Sequence, residues 1–555
     1  MTNTDKKKWT LMFFLASDNT LSPSTLSQIK AIKAAGSQLD TNVLVYFDPN
    51  EKGAPTRVFE INKDDKKLGT SNIGNSDGPL VSVLTRDSIT PASISSLSGP
   101  LSEQFGASLQ NVDALEAHDA LDNFLGFCRE SYPAEHYMLF LLGHGLVVGR
   151  DAFLPDDNPD SAIGLKTLGN ILKKFSDAVR PQGEELELVG MHSCSISSVE
   201  VAYQLKGTAN YMLASQGISF VGSWPYRQML VKIYNAVEHS ADMNVLELVK
   251  SLHSLCIQYS ADFMYAGYSA DICLCSLEKR RVERLTEPIS KLAEALIDGL
   301  KNPRCKELIL LAHWKSQSYW QETYSDLYDF CLCLRRLCDR EKIPEPQKRQ
   351  ADPKQQQFRI REYDLKRIAI IDGCNAVIGK LKPQDGTPDG PVVCTDYIGP
   401  DCQYSHGLSI YFPWSQPLKD ENDHVLENYE GYAFTQGDLT RGPWLDFLMA
   451  YFAETQREDR LSEERRFGDE DTSYQNDPVY KKALAVASPT FAAAVASDGR
   501  EFSSTTVLEG KISPPDAGGG ACACASTKNY SRDFSMSRGV ASVFEGGKSK
   551  QSKAA

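Results

Sequence analysis

The sequence predicts an α/β fold built on a mostly parallel central sheet. Residues 11–15 and 42–47 are continuous apolar runs, and the segment between them has helical spacing. Two later apolar runs, residues 136–142 and 186–191, enclose a loop and another helical segment. Strands that are apolar throughout are buried on both faces, which is typical of parallel sheets covered by helices on both sides.

The predicted elements follow one another in a regular order up to residue 215. Strands are expected at residues 11–15, 42–47, 136–142, 186–191 and 211–215, and helices at residues 26–35, 112–129, 165–179 and 197–205. The order strand, loop, helix, strand over residues 136–191 predicts a right-handed crossover unit. The polar, Ser- and Gly-rich residues 65–110 are interpreted as a long excursion from this core.

The length of 555 residues predicts more than one structural unit. Residues 1–240 form the first unit. Residues 241–455 are mainly helical, with short strands at 272–274 and 407–412, helices near 363–380 and 443–454, and a polar linker at 344–357. Residues 456–555 are rich in charge, then in Ala, Ser and Gly, and a mostly disordered tail is expected because such a segment buries too little apolar surface to fold.

Composition excludes several classes of protein. The net charge is -14 and no basic stripe stands out, so neither nucleic acid nor a membrane surface is an expected partner. The N-terminal apolar run is a buried strand rather than a leader, and no run approaches the length of a membrane span, so the expected location is cytoplasmic. The fourteen cysteines are expected to be reduced thiols, and their C-x-C pairs lack zinc-site spacing.

Two residues that could carry chemistry follow neighbouring predicted strands. His144 lies two residues after the run 136–142, between Gly143 and Gly145, and Cys194 lies three residues after the run 186–191. The carboxyl ends of parallel strands form the functional edge of a sheet, so both residues are expected there. A thiol becomes a strong nucleophile as a thiolate, which an adjacent imidazole promotes, and the same imidazole can protonate a leaving amine.

The backbone beside this pair can stabilise an oxyanion. Gly145 has no Cβ, so its N–H can approach a substrate closely, and the N–H of Cys194 is the second expected donor. His192 is a rival base, but it is expected to line the pocket, since it lies two residues from Cys194 on the same strand. His406 precedes a strand instead of following one, which favours a structural role.

These segments together resemble the clostripain family of cysteine peptidases, which belongs to the same clan as caspases, legumain and gingipains. The similar segments are WTLMFFLASDN, HYMLFLLGHG, LVGMHSCSISSVEVAYQL, YMLASQ with the following WPY, and GLSIYFP, which span about residues 9–413. The resemblance implies a caspase-like α/β/α sandwich and endopeptidase activity, with His144 as general acid and base and Cys194 as nucleophile. The 50-residue separation of the pair is also the spacing found in caspases. Ser215 and Trp224 are expected to bind substrate together with His192.

One residue departs from the family pattern. Members carry an Asp two residues before the nucleophile, which selects Arg or Lys on the acyl side of the cut, and here that position is His192. A neutral imidazole cannot reproduce the charge-assisted recognition that a carboxylate gives Arg. A protonated His192 would instead accept an acidic residue, which is the alternative that the sequence suggests.

The resemblance also suggests regulation. Family members are made as zymogens, and Arg150 and the pair Lys348 and Arg349 are exposed candidate cleavage sites, so an activating protease or regulatory protein is an expected partner beside the peptide substrate. No cofactor is required, although some relatives use calcium, for which Asp156, Asp157 and Asp160 are the candidate residues. A catalytically idle scaffold and a peptide-processing amidase or transpeptidase remain alternatives. The Cys522 and Cys524 pair in the tail receives no assignment.

Overall fold

The computed structural model describes most of the chain outside the C-terminal tail. The described residues are 6–38, 40–50, 56–61, 115–146, 151–239, 244–261, 268–319, 323–340, 353–381, 389–417, 425–436 and 442–467. The predicted excursion at residues 65–110, the candidate cleavage sites Arg150 and Lys348–Arg349, and the cysteines of the tail lie outside these ranges.

The described residues form thirteen strands. In chain order they are β1 (Lys7–Ser17), β2 (Thr41–Pro49), β3 (Arg57–Glu60), β4 (Ala134–Leu142), β5 (Phe153–Asp157), β6 (Asp160–Ile163), β7 (Glu185–His192), β8 (Tyr211–Ala214), β9 (Ala270–Ser276), β10 (Ser318–Tyr319), β11 (Tyr324–Asp326), β12 (Val392–Ile398) and β13 (Ser409–Tyr411). Eight of them form the main sheet in the order β12-β9-β8-β7-β4-β1-β2-β3. The five central strands β8, β7, β4, β1 and β2 are parallel, which confirms the predicted fold class.

Helices cover both faces of this sheet. In chain order they are α1 (Ser22–Ala35), α2 (Ala117–Ser131), α3 (Leu165–Val179), α4 (Val199–Leu205), α5 (Tyr226–His239), α6 (Val245–Ala261), α7 (Lys279–Leu300), α8 (Pro303–Lys315), α9 (Leu327–Arg340), α10 (Pro353–Leu381), α11 (Val425–Glu430) and α12 (Pro443–Phe467). Within the described ranges, none of these helices is both long enough and apolar enough to span a membrane.

Alternation along β1 shows why the sheet is buried on both sides. Leu11 and Phe13 point into a core shared with α1, α5 and α6. Met12 and Phe14 point into a larger core shared with α2, α3 and the helices from α7 onward. Because successive side chains of a strand leave opposite faces, an uninterrupted apolar run is what a strand between two helical layers requires.

The second half of the chain belongs to the same assembly. Strand β9 pairs antiparallel with β8 and β12 pairs antiparallel with β9, so both extend the main sheet, and β10, β11 and β13 form a small antiparallel sheet. Glu200 of α4 connects the two parts, because its carboxylate accepts hydrogen bonds from Tyr411 N (2.9 Å) and Tyr429 Oη (2.8 Å). Burial raises the pKa of Glu200, as expected for a carboxyl group enclosed by protein.

Several short elements differ from the sequence-based predictions. The Asp- and Pro-rich segment after β4 was expected to be a loop, but it forms the hairpin of β5 and β6. The edge strands β3 and β12 and the short strands β10 and β11 were not expected. Helix α10 begins at Pro353, within the expected linker, and α12 continues to Phe467, beyond the expected start of the tail at residue 456. Short antiparallel strands lack the long apolar runs that identified the central ones.

Gly190 of β7 lies where a side chain would meet the rings of two neighbouring residues. A Cβ on Gly190 would lie 2.6 Å from Phe140 Cδ1 and 3.1 Å from Trp224 Cζ3. The Phe140 ring cannot retreat freely, because it also stacks on Phe13 with ring centroids 4.8 Å apart. The absence of a side chain at this position is therefore a packing requirement.

We predict that Gly190→Ala lowers the free energy of unfolding by about 1–3 kcal/mol, the usual cost of overpacking a core. The matched control is Gly126→Ala in α2, where an added Cβ meets nothing within 4 Å. That change is expected to be neutral or to stabilise the helix by about 0.5–1 kcal/mol. Urea unfolding of both variants tests the prediction, which is wrong if the two substitutions have equal effects.

Candidate active site

The register between β4 and β7 brings the predicted catalytic pair to one level of the sheet. Leu142 of β4 lies opposite His192 of β7, and the four preceding pairs keep the same offset of 50 residues. His144 and Cys194 each follow by two residues, so the same offset places them side by side beyond the carboxyl ends of parallel strands. Both are buried, with His144 4% exposed and Cys194 0% exposed.

Contacts from two other segments position His144. Its Nε2 lies 3.2 Å from Oγ1 of Thr20, which follows β1 at the same edge of the sheet. Its carbonyl oxygen accepts a hydrogen bond from Leu154 N of β5 at 3.3 Å. His144 is thus held through its imidazole by the loop after β1 and through its backbone by the unexpected hairpin.

Gly145 lies directly against Cys194. A Cβ on Gly145 would lie 1.9 Å from the carbonyl oxygen of Cys194, 2.8 Å from its carbonyl carbon and 3.0 Å from its nitrogen. No side chain fits at this distance, so only glycine allows the segment after His144 to contact the Cys194 peptide. The two expected oxyanion donors, the N–H groups of Gly145 and Cys194, therefore belong to adjoining segments.

The thiol of Cys194 contacts the main chain of Ser219. Ser219 N donates a hydrogen bond to Cys194 Sγ at 3.2 Å, and the thiol donates to Ser219 O at 3.5 Å. An N–H directed at sulfur favours the thiolate, whereas the carbonyl oxygen favours the protonated thiol. Ser219 thus lies directly against the sulfur of Cys194, which is fully buried in this conformation.

The turn after the nucleophile has an unusual backbone. Ser195 has φ of 54°, a left-handed conformation that a residue with a side chain rarely adopts. Its N–H donates to Gly217 O at 3.0 Å, and the N–H groups of Ile196 and Ser197 both donate to Ser215 O, at 3.1 and 3.0 Å. The predicted site residue Ser215 therefore contacts the nucleophile's turn through its carbonyl oxygen.

The other two predicted substrate-binding residues contact each other. The rings of His192 and Trp224 stack with centroids 4.8 Å apart. His192 Nε2 lies 2.7 Å from Phe220 O, to which it donates, so its Nδ1 accepts from Tyr226 Oη at 3.0 Å. Burial lowers the pKa of His192 to about 3. The ring is therefore neutral near pH 7, and the expected attraction of a protonated His192 for acidic residues has no support in this geometry.

His406 occupies the structural position that the sequence favoured. Its Nδ1 lies 2.7 Å from Tyr404 O and 3.4 Å from Asp326 Oδ1, and its ring stacks on Tyr328. Although burial opposes the charged form, the hydrogen bond and the charge of Asp326 raise the pKa of His406. It belongs to a network behind the site instead of the edge that carries His144.

The loop that carries Thr20 is anchored to the hairpin. Asn19 Nδ2 donates to Ala16 O and Pro155 O, and Asp157 N donates to Asp18 O at 2.8 Å. The carboxyl groups of Asp18 and Asp156 share a hydrogen bond. Burial, together with the charges of Asp48 and Asp18, raises the pKa of Asp156 to about 8, so the pair retains a proton near pH 7.

The acidic hairpin does not fit the calcium site considered from the sequence. Asp156 and Asp157 are successive residues of β5, whose side chains leave opposite faces of the strand, and Asp157 accepts a hydrogen bond from Asn50 Nδ2 at 2.8 Å. Throughout the described ranges, no group of three or more His, Cys, Asp or Glu side chains is arranged to hold a metal ion.

Sequence reasoning missed Thr20, Ser219 and the residues behind the nucleophile's turn. Thr20 follows a predicted strand and lies at the predicted edge, so the rule that located His144 could also have located it. Ser219 acts through backbone atoms, for which a sequence carries no side-chain signal. The residues behind the turn come from segments far apart in the chain.

Comparison with known proteins gives one family. A model described as the clostripain family matches residues 13–367. Among solved structures, an inactive zymogen C11 protease from Parabacteroides distasonis is 16% identical, with 77% of this chain and 97% of that chain covered and a TM-score of 0.43. A secreted C11 cysteine protease from Bacteroides thetaiotaomicron, in complex with an irreversible peptide inhibitor, is 14% identical, with 80% and 99% covered and a TM-score of 0.39. None of the curated proteins compared with the chain matches it.

We predict that Gly145→Ala lowers kcat by about 100-fold or more, the usual cost of losing an oxyanion donor, because the new Cβ must displace the Cys194 peptide. Gly379→Ala in α10 is the matched control, since an added Cβ there meets nothing within 4 Å. Peptide-cleavage kinetics and thermal unfolding of both variants test this. Full activity of the Gly145 variant would show that this contact is not needed.

The raised pKa of Asp156 predicts a pH-dependent stability. The carboxyl group of Asp156 keeps its proton up to about pH 8 in the folded chain but loses it near pH 4 in the unfolded chain. The wild-type carboxyl group therefore destabilises the fold increasingly as pH rises from about 4 to about 8. Asp156→Asn removes this effect and should raise Tm by about 2–4 °C at pH 8, with a smaller gain at pH 5. Asp160→Asn, at an exposed carboxyl group of the same hairpin, controls for the loss of charge. Equal gains for Asp156→Asn at both pH values would contradict the prediction.

Proposed function

Because this chain belongs to the clostripain family of cysteine peptidases, we propose that it is an endopeptidase in which Cys194 is the nucleophile and His144 the general acid and base. The observation that carries the proposal is the shared offset of β4 and β7, which continues from the strands into His144 and Cys194. The contact of Gly145 with the Cys194 peptide supports it independently.

The proposed reaction follows from the groups at this edge. His144 takes the proton of the Cys194 thiol, and the thiolate attacks the carbonyl carbon of the scissile peptide bond. The N–H groups of Gly145 and Cys194 stabilise the resulting oxyanion. His144 then protonates the leaving amine, and a water molecule, activated by the same imidazole, hydrolyses the thioester. No cofactor enters these steps.

We propose that the described conformation is the latent form of the enzyme. Cys194 is fully buried, and both of its hydrogen bonds to Ser219 must give way before a peptide carbonyl can reach the sulfur. Displacement of the segment from Ile218 to Ser223 would expose the thiol. Cleavage by an activating protease, or binding of a regulatory protein, is the proposed trigger.

The proposal extends to substrate and location. The substrate is a protein or peptide, and neither nucleic acid nor a membrane takes part. The neutral His192 offers no charge to an Arg or Lys side chain, so the residue preference must come from the other groups that face the substrate. The twelve cysteines described are free thiols, which a reducing compartment preserves, and this supports the cytoplasm as the proposed location.

The decisive comparison uses the full chain and three variants. Wild type, Cys194→Ala, His144→Ala and the control Cys394→Ala are incubated with a mixed fluorogenic peptide library, before and after limited trypsin digestion. We expect wild type and Cys394→Ala to cleave peptides, and the other two variants to lose more than about 1,000-fold of that activity. Mass spectrometry of the products distinguishes hydrolysis from transpeptidation.

Two outcomes would contradict the proposal. Activity that survives in Cys194→Ala would show that the nucleophile lies elsewhere. A wild-type chain that cleaves nothing under any condition, and whose Cys194 does not react with a peptide-based thiol inhibitor, would support the idle-scaffold alternative.

A further inference from the structure

We infer that Gln216 is a positioning residue that clamps the turn after the nucleophile in its reactive geometry. The inference rests on the proposed function of Cys194. Gln216 follows β8 and is fully buried, and its two neighbours in the chain, Ser215 and Gly217, carry the carbonyl oxygens that hold the turn.

The turn depends on these two carbonyl oxygens. They accept the N–H groups of the three residues after Cys194, and the first of these, Ser195, has the left-handed backbone. A left-handed residue with a side chain persists only where its surroundings enforce it. The conformation of the turn also directs the N–H of Cys194, one of the two proposed oxyanion donors. A small movement of residues 215–217 would therefore change the position of Cys194 and the direction of its N–H.

Gln216 is fixed by partners from four other parts of the fold. Its backbone N–H donates to Asp271 Oδ2 of β9 at 2.7 Å, and its Nε2 donates to Asp326 Oδ2 of β11 at 3.0 Å. Its Oε1 accepts from Gly407 N at 2.8 Å and from Tyr319 Oη at 3.4 Å. One residue thus joins the main sheet, through its backbone N–H, to the small sheet, through its side chain, next to the turn that follows Cys194.

The acidic partners strengthen this arrangement. Asp271 Oδ1 also accepts Gly217 N at 2.8 Å, so one carboxylate holds two consecutive amides of the segment. Asp326 Oδ2 also accepts His406 N at 2.6 Å. Burial, with a contribution from the charge of Asp326, raises the pKa of Asp271 to about 6. Hydrogen bonds to buried carboxylates are stronger than neutral ones and leave little freedom of position.

The turn is also hydrogen-bonded to residues 407–409. Ser197 Oγ donates to Gly407 O at 2.6 Å, and Ser409 N donates to Ser197 O at 3.0 Å. Gly407 is the same residue whose N–H binds the Gln216 side chain. The turn therefore lies between residues 215–217 on one side and residues 407–409 on the other, with Gln216 bonded across both.

The test replaces Gln216 with Met, which has a similar length but no hydrogen-bonding amide. The matched control is Gln317→Met. Gln317 is equally buried, and its amide donates to Asp401 O at 2.8 Å, but its side-chain bonds do not reach the turn. Both variants lose buried hydrogen bonds, so a purely structural role predicts similar losses of stability and similar kinetics.

Hydrogen exchange of the full chain tests whether Gln216 holds the turn, and it needs no substrate. In Gln216→Met, the amides of Ser195, Ile196 and Ser197 should exchange at least about 10-fold faster than in wild type, while Gln317→Met leaves them unchanged. Equal exchange in the two variants overturns the inference, and it does so whether or not the chain proves to cleave peptides.

Kinetics provide the second readout. With the peptide that wild type cleaves fastest, Gln216→Met should lower kcat by about 10- to 100-fold and leave KM within about two-fold, because the turn positions the reacting groups rather than the rest of the substrate. Gln317→Met should retain kcat well below its Tm. An equal loss of kcat in both variants contradicts a positioning role.

A third variant separates the hydrogen bonds from mere packing. Gln216→Glu keeps the shape, and when protonated it can still donate to Asp326 and accept from Gly407. When ionised, it loses the donor and faces the carboxylate of Asp326. The ratio of its kcat to that of wild type should therefore rise as pH falls. A ratio independent of pH would show that these hydrogen bonds do not control the turn.

Discussion

The parallel pairing of β4 with β7 is the constraint on which the site depends. A parallel ladder fixes which residues leave the sheet at the same level, and here its offset equals the separation of His144 and Cys194. Everything else at this edge refines that placement. Gly145 allows the two strand ends to meet without a side chain between them, and Thr20, from the loop that follows the neighbouring strand β1, contacts the imidazole.

The nucleophile's side of the edge needs more support than the histidine's side. His144 follows its strand directly and is held by two nearby loops. Cys194 precedes a left-handed residue, and the turn keeps its shape through carbonyl oxygens of the next strand's loop. That loop in turn depends on buried carboxylates from β9 and β11. The second half of the chain, which could be regarded as an addition to the core, thereby supplies the groups that stabilise the catalytic edge.

The central sheet, and the positions of His144 and Cys194 at its edge, could be predicted from sequence because their signals are local. Continuous apolar runs identified the buried parallel strands, and the polar residues directly after two of them identified the edge. The hairpin of β5 and β6 and the edge strands are short and antiparallel, so no comparable apolar run in the sequence indicated them. Gln216 and Asp326 are 110 residues apart, and a sequence does not show that one donates to the other. The protonation state of His192 depends on the burial of its ring among Phe220, Trp224 and Tyr226, and only the tertiary structure reveals this burial.

The proposed mechanism is tested most directly by asking whether His144 promotes ionisation of the Cys194 thiol. The rate of alkylation of Cys194 by iodoacetamide can be followed from pH 5 to 10 in wild type and His144→Ala, both after limited trypsin digestion to expose the thiol. It is read in the tryptic peptide of residues 175–206, whose single cysteine is Cys194. The account predicts that wild type reacts at least about 10-fold faster than the variant near pH 7, and that the variant's rate profile shifts to higher pH, because the imidazole promotes the thiolate. Identical profiles would show that His144 and Cys194 do not act as a pair.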